Sequence, residues 1–328
     1  MSYLVNAERL KTWFEVRRGI FSKSYHIRAV DDVSLKLRKG EAIAIVGESG
    51  SGKTSLGKTL VRLYKPTGGK IIFDGKDITN LEGKELLWYR RHAQIIYQDP
   101  FSSLPPFFSI YRILEEPLLI HKIGSEKERR EMIFEALKNV RLTPVELMAS
   151  KYPHMLSGGQ RQRVAIARAL ILKPSFIVAD EPVSMLDASV RIEILFLLRE
   201  LQNKYGISFI YITHDLATTR YFSERIAIMY AGKIVEEASS DEIIERPLHP
   251  YTQALLKAIP EPDPENRKII KEVPPGEPPD LVSPPSGCRF HPRCPYAMEI
   301  CRKEEPPTRE ILPNHFVACH FAESFLKK

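Results

Sequence analysis

No cysteine occurs in the first 287 residues of this 328-residue chain. Neither disulfides nor thiolate-bound metal can therefore hold the body of the protein together. No apolar run approaches the ~18 residues needed to cross a bilayer. The opening stretch, MSYLVNAERLKTWFEV, breaks any apolar core with arginine, lysine and acids, which excludes the pattern of a secretory signal. These absences set the expectation of a cytosolic location. Internal repeats are also missing, and no long heptad insertion interrupts the chain. The formal charge is +7, but the 48 basic residues are interspersed with 41 acidic ones. That pattern fits a solvated mixed-charge surface and does not call for a nucleic-acid partner.

What is present divides the chain. Its length allows one large domain and a smaller one. Up to about Ala258, short β-branched runs alternate with amphipathic stretches, the pattern of an α/β fold. From Pro260 to Pro285 the composition becomes PEPDPENRKIIKEVPPGEPPDLVSPP. Prolines fix φ and remove backbone donors, so neither a helix nor a central strand can run through it. The expected units are 1–259, a proline-rich linker 260–287, and a cysteine-rich domain 288–328.

Residues 41–54 read EAIAIVGESGSGKT. An apolar strand-like run from Glu41 to Val46 meets a helical pattern that opens at Thr54 and places Leu56, Leu60 and Leu63 on one side. Between them lies Gly47-x-x-x-x-Gly52-Lys53-Thr54. Glycines there let successive backbone amides turn toward one centre and cradle phosphate at a helix N-terminus. Lys53 would reach the β- and γ-phosphates and the Thr54 hydroxyl would ligate Mg²⁺. Gly47, Ser49, Gly50, Gly52, Lys53, Thr54 and Ser55 form the expected nucleotide loop. The Asn-Lys-x-Asp motif that reads guanine is absent.

In SFIVADE, residues 175–181, an apolar strand delivers Asp180 to hold Mg²⁺ and Glu181 to orient or deprotonate the attacking water. Residues 156–168, LSGGQRQRVAIAR, give a Ser-Gly-Gly turn at the start of an amphipathic helix. Ser157 is a natural N-cap, and the glycines leave amides unobstructed. Such a site can bind an anion but has no lysine or base of its own, so it points to nucleotide held by another subunit. A simple helix cap would account for Ser157 but not for Gly158, Gly159 and Gln160.

Residues 1–258 resemble the ATP-binding subunit of an ABC transporter. GESGSGKT is similar to that family's Walker A loop, FIVADE to its Walker B strand and LSGGQ to its signature. The resemblance implies a P-loop NTPase (RecA-like) α/β core, an antiparallel β subdomain and an inserted helical subdomain at about 99–157 that docks on the membrane protein. By the same resemblance, Gln98 in IIYQDP is the Q-loop glutamine, contacting Mg²⁺ or the lytic water. Ser184-Met185-Leu186-Asp187 fits the D-loop, with methionine where the family more often has alanine. His214 in IYITHD fits the switch histidine at the γ-phosphate. Tyr25, or alternatively Phe21, lies where the family stacks an aromatic ring on adenine. ATP and Mg²⁺ are the implied cofactors. Lys53, Gln98, Glu181 and His214 are the implied catalytic set. Two cassettes are expected to face head to tail, each ATP held between one phosphate loop and the opposite signature.

QDPFSSL, KYPHMLSGGQ, PLHPYTQALLKAIP and the cysteine tail together resemble the oligopeptide and dipeptide importer branch. Pro105 departs from it, standing where the branch usually has asparagine. The branch implies a second, related but non-identical ATPase chain, two transmembrane permease subunits and, indirectly, an extracytoplasmic solute-binding protein. It places the chain on the cytoplasmic face of the membrane, and it also includes importers of nickel and of oligosaccharides.

The cysteines at 288, 294, 301 and 319 are separated by five, six and seventeen residues. A reducing cytosol argues against disulfides. Structural zinc sites usually contain a tight C-x₂₋₄-C pair, and none occurs. Four thiolates also suit an iron–sulfur cluster. Resemblance to the branch's C-terminal extension adds a 4Fe–4S cluster on Cys288, Cys294, Cys301 and Cys319 as an expectation, with zinc or unligated thiols as alternatives.

Overall fold

Alternation builds the first sheet. In the second half of β2 (Ser24–Arg38), Val33, Leu35 and Leu37 are buried while Asp32, Ser34 and Lys36 are exposed. The computed structural model describes residues 3–17, 24–259 and 276–326. Phe21 and most of the proline-rich stretch, 260–275, lie outside them. β2 pairs antiparallel with β1 (Tyr3–Arg17), which pairs with β4 (Gly68–Phe73) and through it with β5 (Lys76–Asp77). Every pairing in this four-stranded sheet is antiparallel.

A larger sheet carries the site. Its parallel part comprises β3 (Ala42–Val46), β6 (Ala93–Ile96), β7 (Phe176–Asp180), β8 (Ser208–Thr213) and β9 (Arg225–Tyr230). With β10 (Lys233–Ser239), β11 (Arg309–Leu312) and β12 (His315–Val317), the order is β11-β12-β10-β9-β3-β8-β7-β6. β3, β7 and β8 are buried at every position, as strands covered on both faces must be. Ile43 and Ile45 face a core shared with the antiparallel sheet, while Ala42, Ala44 and Val46 face the helices on the other side.

Helix α1 (Lys53–Leu60) lies between the sheets with Leu56 and Leu60 buried. A Cβ on its Gly57 would stand 2.7 Å from Ile212 Cδ1 and 2.8 Å from Val178 Cγ1, so only glycine lets the helix approach this closely. The helix ends at Leu60, and Arg62 takes a left-handed φ of 57°. Leu63 is therefore off the expected apolar face and 40% exposed. Between β6 and β7 come α2 (Ile110–Ile120), α3 (Glu126–Asn139), α4 (Val145–Ser150) and α5 (Gly158–Leu170), and α6 (Ala188–Tyr205) follows β7. Ser125 and Glu128 close a capping box on α3.

The cysteine-rich tail packs on the rest of the chain. Its β12 pairs with β10 and so extends the main sheet. Phe290 is 1% exposed within the main core, against Tyr230 and Tyr251, the latter on α7 (Pro250–Ala258). Arg289 makes a buried ion pair with Asp31 of β2, and the Arg28 amide donates to the Leu281 carbonyl. A segment of some forty residues cannot build much core alone, and this one borrows that of the preceding residues.

Candidate active site

The phosphate loop joins β3 to α1. Gly47 and Gly52 are demanded by space: a Cβ would stand 2.1 Å from the Met229 carbonyl oxygen at one and 2.0 Å from that of Ala29 at the other. Gly52 also takes a φ of 103°. No side chain caps α1 at Gly52 and its first turn has no acid, which leaves its amides to an anion. Lys53 Nζ donates to the carbonyls of Gly47 at 2.7 Å and Glu48 at 2.8 Å. Burial pulls this ammonium below its usual range, opposed by Glu181, Asp180 and Glu48. Ser49 and Gly50 are exposed at the tip, and the Ser55 carbonyl accepts from Thr59 Oγ1 at 2.7 Å.

Thr54 Oγ1 donates to Asp180 Oδ1 at 2.9 Å, across 126 residues of sequence. Burial raises the Asp180 carboxyl, while the Thr54 bond, Lys58 and Lys53 work against it. A hydroxyl and a carboxylate meeting beside an anion cradle are the oxygen donors Mg²⁺ takes.

Glu181 follows with a φ of 45°, a left-handed conformation costly for glutamate. Its amide donates to the Ile212 carbonyl at 2.9 Å, and its own carbonyl accepts from the Ser184 hydroxyl at 3.1 Å. The bend aims its carboxylate at two residues from other strand ends. Gln98 Nε2 donates to Glu181 Oε2 at 2.9 Å, and His214 Nδ1 stands 3.2 Å from the same oxygen. Lys53, Thr54, Gln98, Asp180, Glu181 and His214 thus meet at the C-terminal ends of β3, β6, β7 and β8.

The signature stands apart on α5. Ser157 Oγ accepts from the Gln160 amide at 3.3 Å, and Gln160 Oε1 accepts from the Ser157 amide at 3.1 Å. This capping box accounts for Gln160, which a simple cap was expected to leave unexplained. A Cβ on Gly159 would stand 2.7 Å from Val190 Cγ1, and one on Gly158 3.5 Å from Leu186 Cδ2. Close packing on α6 therefore explains part of the glycine pair. Asp187, the N-cap of α6, is exposed and makes no side-chain cap bond. Tyr25, on β2 opposite Val16, is 46% exposed. Its strand runs on to Ala29, against the phosphate loop.

Residues 30–184 match the family model for the ABC transporter. The chain is 45% identical over 316 residues to the oligopeptide transport ATP-binding protein AppF of Bacillus subtilis, covering 95% of each. The chain belongs to the ABC transporter family. A second model, the C-terminal region of oligopeptide/dipeptide transporters, matches residues 235–301. A putative peptide import ATP-binding protein of Brucella ovis is 47% identical over 298 residues, 91% of this chain and 93% of that one. Among solved structures, a dimeric ATP-binding cassette in a post-hydrolysis state with ADP and Pi aligns with a TM-score of 0.63 at 32% identity. The alignment spans 72% of this chain and 98% of that one. The site is that of an ABC ATPase, which takes ATP with Mg²⁺ and hydrolyses it.

The four cysteines line one small pocket with His249, Phe290, His291 and Tyr296, and none is in a disulfide. Burial pushes three of the thiols up: Cys294, Cys288 to about 12 and Cys319 to about 11. Among the described residues, no group of three or more His, Cys, Asp or Glu is arranged to hold a metal ion. No helix of the described residues is long and apolar enough to cross a membrane.

Two contacts at this site escaped sequence reasoning. Arg293 Nη1 donates to Glu48 Oε2 at 2.8 Å, and the Tyr251 hydroxyl accepts from the Glu48 amide at 2.8 Å. Separations of 245 and 203 residues leave no periodic signal.

Proposed function

We propose that this chain is the ATP-hydrolysing subunit of an ABC importer that energises uptake of oligopeptides or dipeptides through membrane permease partners. The observation that carries it is the meeting of Gln98 and His214 on the Glu181 carboxylate, beside Lys53 and Asp180, in a chain whose residues 235–301 match the peptide-transporter C-terminal region. Glu181 activates the water, Lys53 and His214 offset charge developing on the transferred phosphoryl group, and Thr54, Asp180 and Gln98 hold Mg²⁺. Tyr25 stacks on adenine.

Ser157, Gly158, Gly159, Gln160 and Asp187 act on ATP held by an opposing cassette, a related but non-identical chain. The dimeric cassette among the structural relatives supports this arrangement. Residues 1–259 form the nucleotide-binding unit, and its helical part, about 99–157, meets the permease pair on the cytoplasmic face of the membrane. Phe107, 88% exposed, with Phe101 and Phe108, offers apolar surface directly after Gln98. Substrate reaches the permeases from an extracytoplasmic binding protein. Reconstituted with its permeases and partner ATPase, the chain should support ATP-dependent peptide uptake, and Lys53→Ala should abolish it. Uptake that persists with Lys53→Ala would overturn the reading.

The cysteine pocket is read as the site of a 4Fe–4S cluster on Cys288, Cys294, Cys301 and Cys319, a structural staple for the tail. Four thiols around one pocket, unpaired by disulfides, support it. Anaerobically purified protein should be brown and lose its visible absorption with Cys294→Ser. Colourless protein, with zinc or with no metal, would refute the cluster.

A further inference from the structure

A carboxylate in a phosphate-binding loop needs an account. Glu48 is the residue after Gly47, inside the loop that receives a polyanion, and an uncompensated charge there repels the ligand. It is not left uncompensated. Arg293, 6% exposed and supplied by the cysteine-rich tail, donates to Glu48 Oε2 at 2.8 Å. The same Nη1 lies 3.4 Å from the Tyr230 hydroxyl, and the guanidinium carbon lies 5.9 Å from that ring's centroid.

Every polar group of Glu48 is engaged. Its amide donates to the Tyr251 hydroxyl at 2.8 Å, its carbonyl accepts from Lys53 Nζ at 2.8 Å, and its carboxylate accepts from Arg293. One residue thus connects the phosphate-binding lysine to the tail. The far end of the linkage is closely packed: Tyr230, Tyr251 and Phe290 lie with ring centroids 4.5 to 5.4 Å apart. Arg293 is followed directly by Cys294, whose side chain lines the thiol pocket.

We propose that Arg293 is a positioning residue for ATP binding: by neutralising Glu48 and holding it in place, it lets the C-terminal tail set the phosphate loop. Nucleotide affinity then depends on the seating of a segment that contributes no catalytic residue. The inference rests on the phosphate loop being the ATP site.

The test measures ATP binding to the full chain in a Glu181→Gln background, which slows turnover, and steady-state kinetics in the otherwise unaltered chain. Arg293→Met should weaken ATP binding about tenfold, the loss of one charge-assisted contact, raising KM while kcat at saturating ATP stays near that of the parent. Arg293→Lys should retain most of the affinity. Glu48→Gln removes the charge that Arg293 offsets, so the double variant Glu48→Gln/Arg293→Met should regain most of what Arg293→Met loses. A mere tether predicts a double variant no better than Arg293→Met, and that result would overturn the proposal. Unchanged ATP affinity in Arg293→Met would overturn it too. If Arg293→Met does not fold, Arg293→Lys carries the comparison: its smaller loss should vanish in the Glu48→Gln background, and a loss that persists there counts against the proposal. Failure of the parent protein to bind ATP would instead refute the nucleotide-site reading.

Discussion

Gln98 Nε2 and His214 Nδ1 approach the same oxygen of Glu181, at 2.9 and 3.2 Å, from the ends of two strands that flank β7 on either side. A carboxylate held by two neighbours and aimed by a strained backbone is oriented before substrate arrives. Glu181→Gln should preserve nucleotide binding and lower turnover by about 10²–10⁴-fold, the range for a lost general base. Phosphate release and ATP retention measured on one preparation check this, and a wild-type rate in the variant rejects the assignment.

The signature is on α5 and lacks a lysine or a base. Hydrolysis per subunit by the isolated chain should therefore be slow and fall on dilution. Ser157→Arg, at an exposed cap, should leave nucleotide binding near normal and suppress turnover. A per-subunit rate that stays constant down to strict monomer, checked by light scattering, would contradict a shared site.

Phe290 measures how far the tail belongs to the cassette. Phe290→Ala should cost about 3–5 kcal/mol, as for a large aromatic removed from a packed core, and should shift unfolding of the whole chain in denaturant. A tail folding on its own would instead melt separately and leave the main transition unmoved.

His249 gives a pH dependence. It is fully enclosed, and its Nδ1 accepts the Tyr251 amide at 3.1 Å, which only the neutral ring can do. Burial lowers it to about 4, with Glu236 pulling the other way. The unfolded chain takes up this proton near pH 6.5 and the folded chain only near 4. The stability due to His249 is thus complete above about pH 6.5 and lost as pH falls toward 4, by about 3 kcal/mol over the window. His249→Asn keeps a capping side chain and should flatten that slope in denaturant titrations run across it. An unaltered slope would assign the pH dependence to other groups.

The residues that meet at the candidate site could be picked out because their patterns are local: a glycine loop between strand and helix, or acids at a strand end, declares itself within a few residues. The two-faced burial of β3 and β7 was legible for the same reason, as unbroken apolar runs. Gln160 was harder to read, because a capping box and an anion site use the same letters. The seating of the tail was not legible. Phe290, Arg293 and β12 act through partners far away in the chain, and neither spacing nor composition encodes a contact between residues 48 and 293. His249 shows the same limit, since its neutrality follows from an enclosure that only the folded chain provides.

The pairing of β12 with β10 also sets an order of assembly during synthesis. β10 is complete at Ser239 and its partner begins at His315, so about 75 residues must be added before that edge is covered. At the usual pace of translation, roughly 5–20 residues per second, a nascent cassette spends on the order of ten seconds with a row of unpaired backbone groups open to its neighbours. Messages truncated or stalled within that interval should yield a product that self-associates through β10, and the last strands to emerge from the ribosome close the fold begun by the first.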